Sequence, residues 1–122
     1  MSNARRILSG EMWGQDVPDF KILCVEDSRE AQLMLTFVLA KAGYEVITAD
    51  NGLQGLEKAK AWRPALILVD MMMPGMSGAE LIRRLRADTA NKDVPILVLS
   101  AYSDVALIEE AREAGADGYL IK

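Results

Sequence analysis

Four short apolar runs recur along the chain: Ile22-Leu23-Cys24-Val25, Val46-Ile47-Thr48-Ala49, Leu66-Ile67-Leu68-Val69 and Ile96-Leu97-Val98-Leu99. Continuous runs this short, rich in β-branched residues, are strands buried on both faces, as in a parallel sheet. A weaker fifth run, Tyr119-Leu120-Ile121, ends the chain. Between the runs lie segments of helical length. Residues 29–42 carry Leu33, Met34, Phe37 and Val38 at helical spacing, with Gly43 as the stop. Residues 53–61 offer Leu53, Leu56 and Ala59 or Lys60 before Arg63-Pro64 forbids continuation. A third helix opens on the capping-box pattern Ser77-Gly78-Ala79-Glu80. A fourth runs from about Asp104 to Glu113, with Ser103 as N-cap and Gly115 as stop. Strand and helix alternate, and the connections are too long for hairpins. The pattern predicts a doubly wound α/β fold: five parallel strands, right-handed crossovers, helices on both faces.

Composition narrows the chemistry. Over 122 residues, 51% are hydrophobic and 26% charged, which argues against disorder. No apolar run approaches the roughly 20 residues of a spanning helix, and the N-terminus has no signal-peptide core, so no membrane role is expected. The single cysteine, Cys24, cannot form an internal disulfide and fits a reducing cytoplasm. With no histidine there can be no Ser-His-Asp triad and no His-ligated zinc or haem. The net charge of −4 lacks a basic footprint, so direct nucleic-acid binding is not expected. Carboxylates, hydroxyls, a lysine and a hard metal ion remain.

The carboxylates fall where such sheets bind ligands, at the carboxyl ends of strands. Glu26-Asp27 follows the first run and Asp70 the third. An acid straight after four strand residues is costly unless paired or metal-bound. Three acids in one crevice repel one another, and a divalent cation with oxygen ligands relieves that. The plain alternative is that each acid caps a helix or opens a turn. That reading is weakest for Asp70, which is followed by the loop Met71-Met72-Met73-Pro74-Gly75 rather than a helix. Ser100 follows the fourth run and Lys122 the fifth, adding a hydroxyl and an ammonium. A phosphoryl group matches this set, because its transfer needs positioning and charge neutralisation rather than a histidine base. A carboxylate can itself be the nucleophile and form an acyl phosphate.

With these residues in view, positions 20–122 resemble the receiver domain of two-component response regulators. The matching segments are Lys21-Ile-Leu-Cys-Val-Glu-Asp-Ser28, Leu66-Ile-Leu-Val-Asp-Met-Met-Met-Pro-Gly-Met-Ser-Gly78, Pro95-Ile-Leu-Val-Leu-Ser-Ala101 and Gly115-Ala-Asp-Gly-Tyr-Leu-Ile-Lys122. The resemblance implies a flavodoxin-like sheet of order 2-1-3-4-5 and makes Asp70 the phospho-acceptor. It implies that Asp27, Asp70 and the backbone carbonyl of Met72 bind Mg²⁺ directly, Glu26 through water, with Mn²⁺ able to substitute. Ser100 takes the family's hydroxyl role, Lys122 contacts the phosphoryl group, and Tyr119 is the switch aromatic. For Tyr119 the plain alternative is a packed aromatic at the core edge. The donor implied is a phosphohistidine on a sensor histidine kinase or a histidine phosphotransfer protein. Such a domain is a cytoplasmic signalling switch, not an enzyme beyond its own Mg²⁺-dependent phosphorylation and dephosphorylation. Phosphorylation adds about −1.5 to −2 charges and is expected to move the surface from Ala101 to Glu113 with Tyr119, so controlling an output domain or partner. Met72 and Tyr102 are expected to shield the acyl phosphate and lengthen its life.

Two stretches depart from the family. The chain stops at Lys122, where a receiver usually continues into a fifth helix, so the reading is a domain truncated after the fifth strand. Residues 1–19 form an N-terminal extension in which Ser2-Asn3-Ala4 reads as a cloning remnant. Ile7, Leu8, Met12 and Trp13 supply an apolar stripe for a helix over 4–14, interrupted by Gly10. That helix is expected where the fifth would sit, in the same chain or a neighbour; the alternative is a loosely docked tail. A homodimer is expected through the fourth-helix and fifth-strand surface, or through the face the absent helix leaves. Other classes match the residues less well. A haloacid-dehalogenase-type phosphatase wants an acid two residues after its nucleophile, where this chain has Met72. A flavodoxin-like binder wants a Ser/Thr/Gly-rich phosphate loop after the first strand, which is lacking. A pseudo-receiver that only binds partners stays open.

Overall fold

Each apolar run is a strand in the computed structural model, which describes residues 20–122. The strands are β1 (Lys21–Val25), β2 (Glu45–Ala49), β3 (Leu66–Val69), β4 (Ile96–Ser100) and β5 (Gly118–Ile121). The helices are α1 (Arg29–Lys41), α2 (Gly52–Trp62), α3 (Gly78–Ala87) and α4 (Val105–Ala114). All neighbouring strands pair in parallel, in the order β2-β1-β3-β4-β5. The readings for residues 1–19 lie outside the described residues. Among the described residues, no helix is long and apolar enough to cross a membrane.

Alternation along each strand divides the core in two. Leu23, Val25, Ile67, Val69, Ile96 and Val98 face α2, α3 and α4, meeting Ala59, Leu81, Ile82, Leu85 and Ala111. Ile22, Cys24, Leu66, Leu68 and Leu97 face the other way, with Phe20, Tyr44 and Leu39 of α1. Each fully buried Leu or Ile contributes about 1.5–3 kcal/mol relative to exposure. Cys24 is wholly buried, and that burial, helped by Glu26, pushes its thiol pKa up to about 12. It is therefore an inert core residue.

The helix boundaries follow local chemistry. Asn51 caps α2 through the Gln54 N–H, and Arg63, in the left-handed region at φ 47°, ends it before Pro64. Ser77 Oγ accepts the Glu80 N–H at 3.2 Å, but the Glu80 carboxylate turns to Arg84 and Arg83, so only half of the capping box forms. The cap of α4 is Asp104 rather than Ser103, and it makes no side-chain cap bond. A larger correction concerns α1. Leu33, Met34, Phe37 and Val38 are all more than half exposed, while Gln32 and Leu39 are buried. This helix is apolar most of the way round, so periodicity alone did not select its inner face.

Arg86, at the end of α3, joins three segments. Its guanidinium donates to the carbonyls of Gly115 and Val94, and to the Asp117 carboxylate at 3.0 Å. Asp117 also accepts the Ile96 N–H at 2.9 Å. One cation thereby aligns the entries to β4 and β5, and so sets where residues 100 and 122 emerge.

Candidate functional site

Register builds the site. Val25 lies beside Val69 in the paired strands β1 and β3, so Glu26 and Asp70 leave adjacent strands at one level. The Asp70 N–H donates to the Val25 carbonyl at 3.1 Å and the Glu26 N–H to the Ala49 carbonyl at 3.0 Å, which fixes both turns. One carboxylate oxygen from each of Glu26, Asp27 and Asp70 lies within 4.8 Å of the others. Glu26 is buried, Asp70 half-buried and Asp27 exposed, so the trio forms a pocket with a wet mouth. An all-oxygen donor set of this charge fits a hard divalent cation such as Mg²⁺ or Mn²⁺.

Lys122 enters from β5. Its ammonium lies 2.8 Å from Glu26 Oε2, while Glu26 Oε1 accepts the Ser28 N–H at 3.1 Å. In this state the lysine is therefore paired with Glu26, with Asp70 and Asp27 as further charge partners. Burial alone would lower the lysine's pKa, but the hydrogen bond and these three carboxylates outweigh it and raise it.

The Asp70 carboxyl is held above its ordinary range. Burial is the main cause and the Glu26 charge the next, with Asp27 adding to them; the Met72 N–H and the Lys122 ammonium pull the other way. The folded state thus keeps this proton over a pH window in which the unfolded chain, with its ordinary value of 3.8, has released it. Its contribution to stability falls as pH rises through that window. Asp70→Asn is therefore expected to raise Tm by a few degrees at neutral pH, and the gain should shrink to nothing as pH falls below the ordinary aspartate range. Mg²⁺ should raise the parent's Tm more than the variant's, because only the parent keeps the full ligand set. Thermal scans at several pH values, with and without Mg²⁺, check both points.

Ser100 is fully buried, and its Oγ accepts the Tyr102 N–H at 3.1 Å. Tyr119 packs partly against the α2–α4 side of the core, and its hydroxyl donates to the Tyr102 carbonyl at 2.7 Å. One residue of the β4–α4 loop is thus held from two sides, by the hydroxyls of residues 100 and 119. Met72 is half-exposed and its N–H donates to Asp70 Oδ1 at 3.3 Å; Met71 and Met73 are buried filler on either side. Tyr102 is likewise about half-exposed.

Two contributors escaped the sequence reading. Gln32 is buried in α1, and its Nε2 donates to the Glu26 carbonyl at 2.6 Å and to Asp50 Oδ1 at 2.7 Å. It pins the turn that presents Glu26 and Asp27; its place three and seven residues before Leu35 and Leu39, on one helix face, was the available signal. Gly78 is the other. A Cβ there would fall on the Asp70 carbonyl oxygen, so α3 can start hard against the turn that carries Asp70.

Comparison with known proteins agrees with this geometry. The profile described as "Response regulator receiver domain" matches residues 22–122. Sporulation initiation phosphotransferase F of Bacillus subtilis is 36% identical over 96 residues, 79% of this chain and 76% of that protein. DNA-binding response regulator MtrA of Mycobacterium tuberculosis is 39% identical over 102 residues, 84% of this chain but 43% of that one, so the chain spans less than half of MtrA's length. Among solved structures, chemotaxis protein CheY4 of Vibrio cholerae superposes with a TM-score of 0.82 at 37% identity, covering 84% of this chain and 86% of that one. Such domains are phospho-acceptor switches of two-component signalling with an acidic Mg²⁺ pocket, not turnover enzymes. On matched segments, strand order and the family profile together, the chain belongs to the receiver domain family of response regulators.

Proposed function

We propose that Asp70 is the phospho-acceptor of this domain, with Asp27, Asp70 and the Met72 carbonyl as direct Mg²⁺ ligands and Glu26 as a ligand through water. The observation that carries the reading is the convergence of the three carboxylates with the Lys122 ammonium at the ends of β1, β3 and β5. When bound, Mg²⁺ supplies neutralisation of the charge on the transferred phosphoryl group. An Asp70 oxygen forms the new O–P bond as the P–N bond to the donor's imidazole breaks, and the imidazole leaves with the electron pair. The donor is a sensor histidine kinase or a histidine phosphotransfer protein, met in the cytoplasm.

The acyl phosphate then competes for existing bonds. Lys122 exchanges Glu26 for a phosphoryl oxygen, and the Ser100 hydroxyl turns from the Tyr102 N–H to donate to another. Both interactions exist in only one arrangement of the β4–α4 loop, so the modification shifts a conformational equilibrium. Tyr119 follows through its bond to the Tyr102 carbonyl. The α4–β5 surface is then the one read by an output domain or by a second copy.

Incubation with Mg²⁺ and acetyl phosphate, followed by intact mass, tests the reading. One phosphoryl adduct, absent in Asp70→Asn, is expected. No adduct would leave a domain that only binds partners, and continuous phosphate release from monoesters would indicate an enzyme. Met72 donates its N–H to Asp70 Oδ1 and Tyr102 donates its N–H to Ser100 Oγ, and we assign these two half-exposed side chains the shielding of the acyl phosphate from water. The double variant Met72→Asn, Tyr102→Ala should lose its adduct several-fold faster; an unchanged lifetime removes that role.

A further inference from the structure

β2 ends the sheet on one side, and among the described residues no strand pairs with its outer edge. The Glu45 N–H donates to the Phe20 carbonyl at 3.1 Å, and the Ala49 carbonyl accepts the Glu26 N–H at 3.0 Å. Residues 45 and 49 therefore direct their backbone groups toward β1 and its two flanks. Alternation along the strand then turns the N–H and C=O groups of Val46 and Thr48 outward. A row of outward donors and acceptors is a template for another strand. Two side chains of α2 stand on it. Lys58 Nζ donates to the Thr48 carbonyl at 2.5 Å. Gln54 Oε1 accepts the Asp50 N–H, the next outward donor, at 3.0 Å. Neither bond serves the ends of the helix itself, which is capped by Asn51 and stopped at Arg63.

We propose that the outer edge of β2 is a self-complementary surface for a second copy of this chain, and that Lys58 holds it closed. The register supplies the self-complementarity. About a two-fold axis through Ile47, two β2 strands run antiparallel, with Val46 of one opposite Thr48 of the other. Each of these pairs exchanges both of its outward N–H···O=C bonds, on either side of the axis. Two five-stranded sheets become one. Ile47 and Val46 already pack their side chains against the two halves of the core, so pairing asks neither to move. Lys58 opposes the contact in two ways. Its ammonium stands on the Thr48 carbonyl that the Val46 N–H of the second copy needs. The axis also sets the two Thr48 positions only two residues apart along the edge, about 7 Å. Two ammonium groups are then brought within a Debye length of each other. A lysine that is half-buried along its stem, with its head on an edge carbonyl, is a device that stops a sheet from growing.

The test needs no phosphoryl chemistry. Lys58→Ala removes the ammonium and keeps a strong helix former at the position. Sedimentation velocity over a range of protein concentrations reads association, and amide hydrogen exchange followed by NMR reads where it occurs. Lys58→Ala should associate at least about tenfold more tightly than the parent, because each dimer regains two hydrogen bonds. Lys58→Arg keeps a charged donor and should behave as the parent does. In associated Lys58→Ala protein, the Val46 and Thr48 amides should exchange several-fold more slowly as concentration rises, while the Ile47 amide, which faces β1, stays as it was. Thr48→Pro in the Lys58→Ala background deletes an outward N–H that β1 does not use, a place where an edge strand tolerates proline. That double variant, folded by far-UV circular dichroism, should sediment as the parent does. Association no tighter in Lys58→Ala than in the parent overturns the proposal. So does association that persists in the folded double variant, and so does slowed exchange in α4 and β5 with Val46 and Thr48 unchanged.

Discussion

Gly78→Ala is expected to lower the stability of the fold by about 3 kcal/mol and to slow phosphoryl acceptance as well. A Cβ at this position would overlap the Asp70 carbonyl oxygen and approach the Met71 Cα to 2.7 Å. Both are backbone atoms, so no rotamer change relieves the clash. The Gly78 N–H also donates to the Met71 carbonyl at 3.0 Å, so α3 cannot retreat without breaking the bond that closes the loop. The helix start and the acceptor turn must move together, displacing Asp70 from Glu26 and Asp27. Gly75→Ala is the control. Gly75 has φ +78° but open space around its Cβ, so only left-handed strain of about 1–2 kcal/mol is at stake. Urea denaturation of the two variants separates the effects. Equal, mild losses would mean that the close approach of α3 to Asp70 is not a feature of the folded protein.

Lys122→Met should damage both folding and chemistry. Its ammonium is the counter-charge 2.8 Å from Glu26, whose side chain is only 4% exposed. Without it a buried carboxylate faces Asp70 and Asp27 with, among the described residues, only the Ser28 N–H to offset its charge. Leaving such a group unpaired costs about 1–3 kcal/mol; the lysine's partial exposure keeps the estimate below that for a fully buried pair. The rate of adduct formation should fall by about 10²–10³-fold, the loss typical of removing one charge-stabilising donor. Because the lysine's pKa is raised, its stabilising contribution is complete at neutral pH and disappears only in strong alkali, as pH passes the folded value. Denaturant midpoints at neutral pH, together with single-turnover labelling, measure both effects. A variant that labels as fast as the parent would remove Lys122 from the site.

Much of this arrangement was legible in the chain because strand ends are marked twice, by a burst of apolar residues and by the polar residue that follows. Glu26, Asp70, Ser100 and Lys122 each stand at such a junction, and parallel pairing carries all four junctions to one edge. The sheet order needs more than the alternation of elements and came with the family resemblance. Side-chain partnerships were less visible. Nothing in the order of residues says that Lys122 rests on Glu26, or that Arg86 gathers carbonyls from two loops, since both depend on how elements distant in sequence are packed. The inner face of α1 was obscured because Leu33, Met34, Phe37 and Val38 compete with Leu35 and Leu39 for the core, and the sheet's second face takes the latter. Gln32 went unnoticed for the same reason, as a polar residue on the face that proved to be inside.

The acceptor itself can be located directly. Protein labelled with acetyl phosphate and Mg²⁺ is reduced with borohydride, which converts an acyl phosphate to the alcohol, and the peptides are mapped by tandem mass spectrometry. Conversion of Asp70 to homoserine, with Glu26 and Asp27 untouched, is the predicted result. Reduction at position 26 or 27 instead, or labelled protein with no reducible acyl phosphate, would contradict the assignment of Asp70 as the nucleophile among the three acids.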